Sequence, residues 1–377
     1  MKPIVLLGNY PPDRQASMLR FQSLMLSLLQ EKGLDAELIH PRAFLGGRGW
    51  GGKWAAYLDK YLFFAWVLRK KARDWRREGR IVHICDHSNA VYVPLLRGCA
   101  VVVTCHDLLA VRGALGEVPD CPASFLGRRL QNRILRGLGQ AQALGFDSGA
   151  TRGDFERLTP SGAAIRKKII GLPALDVFRP GPQAEDAETL RKHGLAAGAF
   201  VLTVGSAQPR KNREGVLRIF SEVGAQAPEW KLVFAGDRLS RAQETLAQNM
   251  GMRKQVVVLE NIADAELAVL YRNAHALLFP SRSEGFGWPV VEAQSCGCPV
   301  VCSRETSLEE VAGEGAYVYD HTDEAGMAKG LRALRESNAR RELVEKGFAN
   351  LRRYTKEILV QGYQNLYEQA AESVQRD

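Results

Sequence analysis

Two carboxylates, Glu284 and Glu292, lie eight positions apart in SRSEGFGWPVVEAQSCGCPVVCS (281–303), around a Gly-Phe-Gly-Trp-Pro turn. The apolar run LLFP before the turn reads as a strand end, and Pro289 suits the first turn of a helix. The amides around Phe286–Val290 then point outward from a positive helix end, which is a ready anion site. Gly285 and Gly287 let a bulky ligand approach the backbone. A carboxylate in such a site does not suit a ligand that offers only phosphate. It suits one that also carries hydroxyls: Glu284 can accept hydrogen bonds from a sugar ring, and Glu292 a pair from a ribose. VGSAQPRKN (204–212) adds Arg210 and Lys211 at another strand end, where two cations could neutralise a diphosphate. Sugar, diphosphate and ribose in line describe a nucleotide sugar. Surface ion pairing is the alternative reading for each cation.

These residues need a scaffold that brings strand ends together. Strand-like runs at 3–8, 35–41, 80–86, 100–107 and 141–148 are separated by helical patterns, for example 18–33 and 125–141. After GLPALDVFRPGP (171–182) the pattern restarts, with strands at 200–206, 231–237, 255–262, 274–280 and 299–303. Strand-helix alternation in both halves predicts an α/β chain with two parallel sheets and crossover helices. Ligands of such sheets sit beyond the carboxyl ends of the strands. A hinge near Arg179–Gln183 would let the two halves face each other across a cleft.

At 377 residues the chain is long enough for two domains. It has no apolar run long enough to cross a bilayer as a helix. The N-terminus MKPIVLLGNY reads as a buried first strand rather than a signal peptide. The seven Cys show no disulfide framework, which points to free thiols in a reducing compartment. Cys296, Cys298 and Cys302 have no nearby His or further Cys, so they read as core side chains and no metal site is expected. Charge is uneven: residues 1–178 carry 26 Lys+Arg and 15 Asp+Glu, the remainder 25 and 27. The basic first half predicts an anionic partner. Residues 54–80, WAAYLDKYLFFAWVLRKKARDWRREGR, are helical, aromatic at first and then densely basic. They read as a helix lying in an anionic membrane interface, or as a packed helix with a solvated basic end. No nucleic-acid-binding motif occurs. GGRGWGGKW (46–54) has the outline of a phosphate loop but lacks the Ser or Thr after the Lys.

EGFGWPVVE followed by AQSCGCPVVCS resembles the Glu-x7-Glu signature of retaining glycosyltransferase family 4, of GT-B fold. VGSAQPRKNREGVLRIF is similar to that family's Lys-bearing phosphate segment, and VVVLENIADAELAVLYRNAHALLFPSRSEGFG to its run-up to the signature. ETSLEEVAGEGAYVYD (305–320), VTCHDLLAVR (103–112) and GLPALDVFRP resemble the segment after the signature, the His-Asp-Leu segment and the interdomain link. The resemblance covers nearly the whole chain and is most specific from 200 to 320. It implies a GT-B architecture of two Rossmann-like α/β/α domains facing across an interdomain cleft. Residues 1–178 would form the acceptor-side domain and 179–354 the nucleotide-sugar domain. A C-terminal helix, 355–377, would cross back to the first.

The resemblance also implies roles. Glu292 would bind the donor ribose. Glu284, with the backbone of Gly285, Phe286 and Gly287, would hold the donor sugar. Arg210 and Lys211 would neutralise the diphosphate, with Gly205, Ser206 and Val291 in the same donor site. Asn261 and Ile262 would contact the base. His106 would lie near the transferred sugar; a capping or core role is its alternative. Asp13, Arg14 and Ser17 in the loop DRQASM (13–18) would face the diphosphate and acceptor. Asp86 and His87, read from HICDHSNA (83–90) itself rather than from the resemblance, are expected as cleft-lining loop residues on the acceptor side. Many members of the family carry Arg directly after the strand-end Gly, where this chain has Ser206, so Arg210 is a candidate to replace that charge. The implied reaction is metal-independent and cofactor-free: hexose transfer with an α-glycosidic product, from a GDP or UDP sugar to a saccharide or lipid-linked acceptor, in polysaccharide or glycolipid biosynthesis. Similarity of the second half to mannosyl-transferring members points to mannose. The enzyme would be cytoplasmic and peripheral at the inner face of the membrane. The competing readings are a non-catalytic sugar-nucleotide-binding relative and a nucleotide-sugar epimerase of the same fold.

Overall fold

The computed structural model describes residues 1–45, 52–160, 162, 165–225 and 227–376. The segment with the phosphate-loop outline falls largely on 46–51, outside the described residues. The chain divides into two compact units, Met1–Gly171 with Lys356–Asp377, and Leu172–Thr355.

The first unit holds β1 (Ile4–Leu7), β2 (Ala36–Ile39), β3 (Ile81–Ile84), β4 (Ala100–Cys105), β5 (Ala143–Phe146) and β6 (Arg166–Ile169). They form one parallel sheet in the order β2-β1-β3-β4-β5-β6. The four inner strands are buried throughout, because helices cover both faces of a parallel sheet. The second unit holds β7 (Phe200–Gly205), β8 (Lys231–Gly236), β9 (Val256–Leu259), β10 (Ala276–Phe279), β11 (Val300–Ser303) and β12 (Ala316–Tyr319). Its parallel sheet runs β12-β11-β10-β7-β8-β9. β6 and β12, absent from the strand-like runs of the sequence, are both sheet edges. Three of the four residues of β6 are cations, so it carries no apolar signal.

The division falls before Leu172 rather than at 178/179, for a packing reason. The Trp288 indole donates to the Pro173 carbonyl (2.8 Å), and the Phe178 ring meets Tyr271 edge-on (5.8 Å between centroids), so 172–178 belongs to the second unit. The C-terminal helix Lys356–Arg376 packs on β4, β5 and β6 of the first unit. Its Tyr363 hydroxyl lies 2.6 Å from Thr104 Oγ1, and its Tyr367 hydroxyl 2.8 Å from His83 Nδ1. His83 Nε2 closes the network on Thr104 at 2.8 Å. Buried hydroxyls and imidazole thus satisfy one another, so the helix is held in one register by polar groups as well as by apolar packing.

From Gly52 the chain runs as one helix to Glu78: α-helical to Leu58, π-helical over Asp59–Phe64, α-helical again from Ala65. The π segment turns Asp59 inward, where it accepts from the Tyr10 hydroxyl (2.8 Å), and lets Lys60 reach Asp13 (2.8 Å). All seven cysteines are free, and only Cys121 is less than fully buried.

Candidate functional site

The second unit assembles its charged residues at the carboxyl ends of β7 and β10. After β10 the chain forms the loop 280–287 and enters the helix Trp288–Ser295, with Pro289 in its first turn. Gly287 caps that helix at φ +102°, and a Cβ there would lie 2.5 Å from Leu308 Cδ2, so only glycine fits both backbone and packing. The loop is stapled by the segment after β11. Thr306 Oγ1 accepts from the Glu284 amide (2.8 Å), and Ser307 Oγ lies 3.0 Å from the carbonyls of both Glu284 and Phe286. Thr306 takes φ +54° to do so.

Glu284 is 7% exposed and sits between two cations. Arg210 donates to one carboxylate oxygen (2.7 Å) and to the Ser283 carbonyl (2.9 Å), while Lys211 donates to the other oxygen (2.6 Å). Burial alone would raise the Glu284 pKa; Lys211 and Arg210 outweigh it and hold the carboxyl below its ordinary value. Burial draws Lys211 below the ordinary amine value despite Glu284. The cluster carries two positive charges and one negative. The two cations expected at a diphosphate and the carboxylate expected at a sugar are therefore bonded to each other.

Glu292 projects from the helix Trp288–Ser295 and is 2% exposed, accepting from the Tyr271 hydroxyl at 3.0 Å. Val291 and Phe286 are buried, and Phe286 packs edge-on against Tyr354. Gly285 is half-buried in the same loop. Asn261, exposed with φ +52°, and half-buried Ile262 follow β9. Gly205 and Ser206, at the end of β7, line a cavity of about 10 Å³ with Lys211, Arg213, Phe234 and Phe279. Arg213, Tyr271, Thr306 and Ser307 were not among the expected site residues. Arg213 does carry a signal, since a third cation follows Arg210 and Lys211 in PRKNR.

The remaining candidates lie in the first unit. His106 is 4% exposed, with Nδ1 2.6 Å from Asp147 and Nε2 2.9 Å from the Cys85 carbonyl. Both nitrogens are committed inside the unit, so as folded here the ring has none left for a sugar. Asp86, expected toward the acceptor, is 2% exposed and spent on structure: it accepts from Ser88 N (3.0 Å), Ser88 Oγ (2.6 Å) and Asn9 Nδ2 (2.5 Å). His87, 8% exposed, has Nδ1 3.1 Å from Asp86. Asp13, Arg14 and Ser17 are exposed, with Asp13 paired to Lys60.

Two of the buried histidines, His83 and His106, titrate in opposite directions. Burial pushes His83 down to about 3. Burial also disfavours charge on His106, but Asp147 outweighs it and lifts the ring to about 9. An unfolded histidine titrates near pH ~6.5. The His106–Asp147 pair therefore stabilises fully below that pH and loses its contribution as pH rises through about 9. The stability difference between wild type and Asp147→Asn, measured by urea unfolding across pH, is expected to be large below ~6.5 and to shrink above it. A difference that grows with pH would contradict the assignment.

Among the described residues, one His and carboxylate cluster has ligand atoms close enough for a metal: Glu305, Asp320 and His321, exposed to half-buried, with His321 Nδ1 2.9 Å from Glu305. It includes none of the residues above.

Residues 186–349 match the family model described as glycosyl transferases group 1. The chain is 29% identical over 261 residues to O-antigen chain mannosyltransferase B of Escherichia coli, covering 67% of this chain and 66% of that protein. It is 28% identical over 293 residues to D-inositol 3-phosphate glycosyltransferase of Acidothermus cellulolyticus, covering 72% and 62%. The chain thus spans just under two thirds of these relatives' lengths. Among solved structures, sucrose-phosphate synthase from Thermosynechococcus elongatus superposes with a TM-score of 0.75 at 19% identity, covering 98% of this chain and 99% of that one. Anabaena HepE, solved with UDP and glucose, gives 0.71 at 15% identity, covering 97% and 99%. At these identities the likeness speaks to fold, and the fold is GT-B: two α/β units, each on a parallel six-stranded sheet. Within that fold, the match to the glycosyl transferases group 1 model falls on the second unit, over residues 186–349.

Proposed function

We propose that this chain transfers a hexose, with mannose favoured, from a nucleoside-diphosphate sugar to a saccharide or lipid-linked acceptor, with retention at the anomeric carbon and without a metal. The convergence of Arg210 and Lys211 on buried Glu284, beside the Gly287-capped helix, carries this reading. The names of the relatives support glycosyl transfer, and the mannosyltransferase among them supports the sugar.

As the bond from the anomeric carbon to the donor oxygen breaks, its electron pair passes to the diphosphate. Arg210, Lys211 and the amides of the helix start stabilise that charge, a preorganised electrostatic role. The acceptor hydroxyl adds to the same face of the sugar, and its proton passes to a phosphate oxygen of the departing diphosphate. Glu284 does not act as a nucleophile here. Two cations and the Thr306–Ser307 staple hold it in place, so it is suited to hydroxyls of the donor sugar. Incubation with GDP-mannose and UDP-hexoses, followed by NMR of the product's anomeric coupling, tests the reading. An α product is expected; a β product, or free hexose as the sole product, would overturn it.

The acceptor reading includes an anionic membrane surface along residues 54–80. Trp54 (71% exposed), Leu58 (45%), Leu62 (58%) and Trp66 (56%) recur every fourth residue on one helix face. Arg69, Lys70, Lys71, Arg73, Arg76 and Arg77 are exposed further along it. Cosedimentation with vesicles containing phosphatidylglycerol at low salt is expected to show binding, and Trp54→Ser with Trp66→Ser to weaken it by about tenfold or more, since each indole buries apolar area. No binding by the wild type would remove this surface from the account.

A further inference from the structure

Arg213 is a buried cation that the reaction above does not use. It opens the helix Arg213–Gly224, is 4% exposed and lies over the Phe234 ring (5.2 Å). Its guanidinium donates to three main-chain carbonyls at the ends of β7 and β8: Gly205 (3.2 Å), Asp237 (2.7 Å) and Arg238 (2.9 Å). Among the described residues no carboxylate forms an ion pair with it. The Asp237 and Glu214 carboxylates favour its charge, but neither carboxylate hydrogen-bonds to it, and that of Asp237 accepts from the Ala207 amide instead (2.8 Å). A buried charge without a counter-ion is costly and persists where a ligand supplies the opposite charge.

The location says what that ligand is. Arg213 and Lys211 line one cavity with Gly205 and Ser206, and its volume of about 10 Å³ has room for roughly one water-sized atom. That suits a single phosphoryl oxygen at the cavity mouth. β7 and β8 approach closely there: a Cβ on Gly236 would lie 2.1 Å from the Gly205 carbonyl oxygen. A side chain at position 206 begins at this same strand end, and here it is an uncharged serine. Arg210 does not fill the vacancy in charge, because it is bonded to Glu284.

We propose that Arg213 supplies the third cation of a phosphate subsite at the end of β7, from the following helix, in place of a cation at position 206. This rests on the donor reading above and assigns its phosphate pocket a residue that composition alone did not select. Arg213 also fixes the Gly205 and Asp237 carbonyls, so it orders the loop that meets the phosphate.

Calorimetry with GDP, UDP and inorganic pyrophosphate on the full chain tests this, with guanosine and uridine as phosphate-free controls. Arg213→Gln is expected to weaken pyrophosphate and the bound nucleotide about ten- to a hundredfold, as for loss of a charge-assisted contact, with nucleoside binding unchanged. Ser206→Arg added to Arg213→Gln is expected to restore most of that affinity. A purely structural clamp predicts no such rescue. Unchanged affinity in Arg213→Gln, or no rescue in a double variant that melts like the wild type, would overturn the proposal while leaving the donor reading intact. If Arg213→Gln does not fold, Arg213→Lys decides: retained pyrophosphate affinity supports the charge role, and loss in a folded protein overturns it. A wild type that binds neither pyrophosphate nor any nucleotide would sink the donor reading as well.

Discussion

Glu284→Gln is expected to lower glycosyl transfer by about 10²–10³-fold and at the same time to tighten binding of the nucleoside diphosphate product. The two effects have one cause. In the resting protein the Glu284 carboxylate occupies both Arg210 and Lys211, at 2.7 and 2.6 Å. A diphosphate competes with it for those donors. The amide of Gln keeps the shape but removes the charge, so the cations turn to the diphosphate, which then leaves more slowly. The sugar meanwhile loses a charged acceptor for its hydroxyls. Steady-state rates and calorimetry on the same preparation check both halves. Weaker diphosphate binding in Glu284→Gln would show that Glu284 does not compete for the cations.

Lys211→Met should lower transfer by a similar factor, about 10²–10³, with diphosphate binding weakened rather than tightened. The ammonium is partly buried over the Phe279 ring, 4.7 Å from its centroid, and close to Gly205. Methionine fills that space and removes the charge. It also leaves Glu284, 7% exposed, with Arg210 as its single remaining cation of the pair. Breaking a buried pair on one side costs about 3 kcal/mol, so the unfolding midpoint falls too. Burial then governs Glu284 more strongly, and its carboxyl rises. The rise makes stability fall at a higher pH on acidification than in the wild type, because a less depressed carboxylate is protonated sooner. Equal diphosphate affinity in Lys211→Met and wild type would remove Lys211 from the site. Together, the two variants separate charge at the diphosphate from charge at the sugar, since they act alike on turnover and oppositely on product binding.

The inner strands of both sheets were legible in the sequence because parallel strands covered on both faces are continuous apolar runs, as in IVLL and AVVVTC. Of the four edge strands, β6 and β12 were not. RKKI in β6 packs few side chains, and AYVY in β12 is half-buried along its length. The glycine loop and the helix after it were legible because Gly287 and Pro289 each have a backbone reason to be there. What spacing could not give was pairing. Arg210 and Lys211 lie more than seventy residues from Glu284 in sequence, and their contact exists only because β7 and β10 are neighbours. The same holds for His106, which looked available until Asp147, from the end of the adjacent strand β5, took its Nδ1. Asp86 looked like a loop residue because the cap it makes with Ser88 and its bond to Asn9 are invisible in a strand-end HICDHS.

The most direct test of the central claim is calorimetric titration of UDP, GDP and ADP into the wild type and into Glu292→Ala. Micromolar binding of one of these nucleotides is expected, with a marked loss in the variant, because Glu292, held by Tyr271 at 3.0 Å, is the carboxylate assigned to the ribose. A folded protein that binds none of them, or a Glu292→Ala variant that binds as tightly as the wild type, would contradict it.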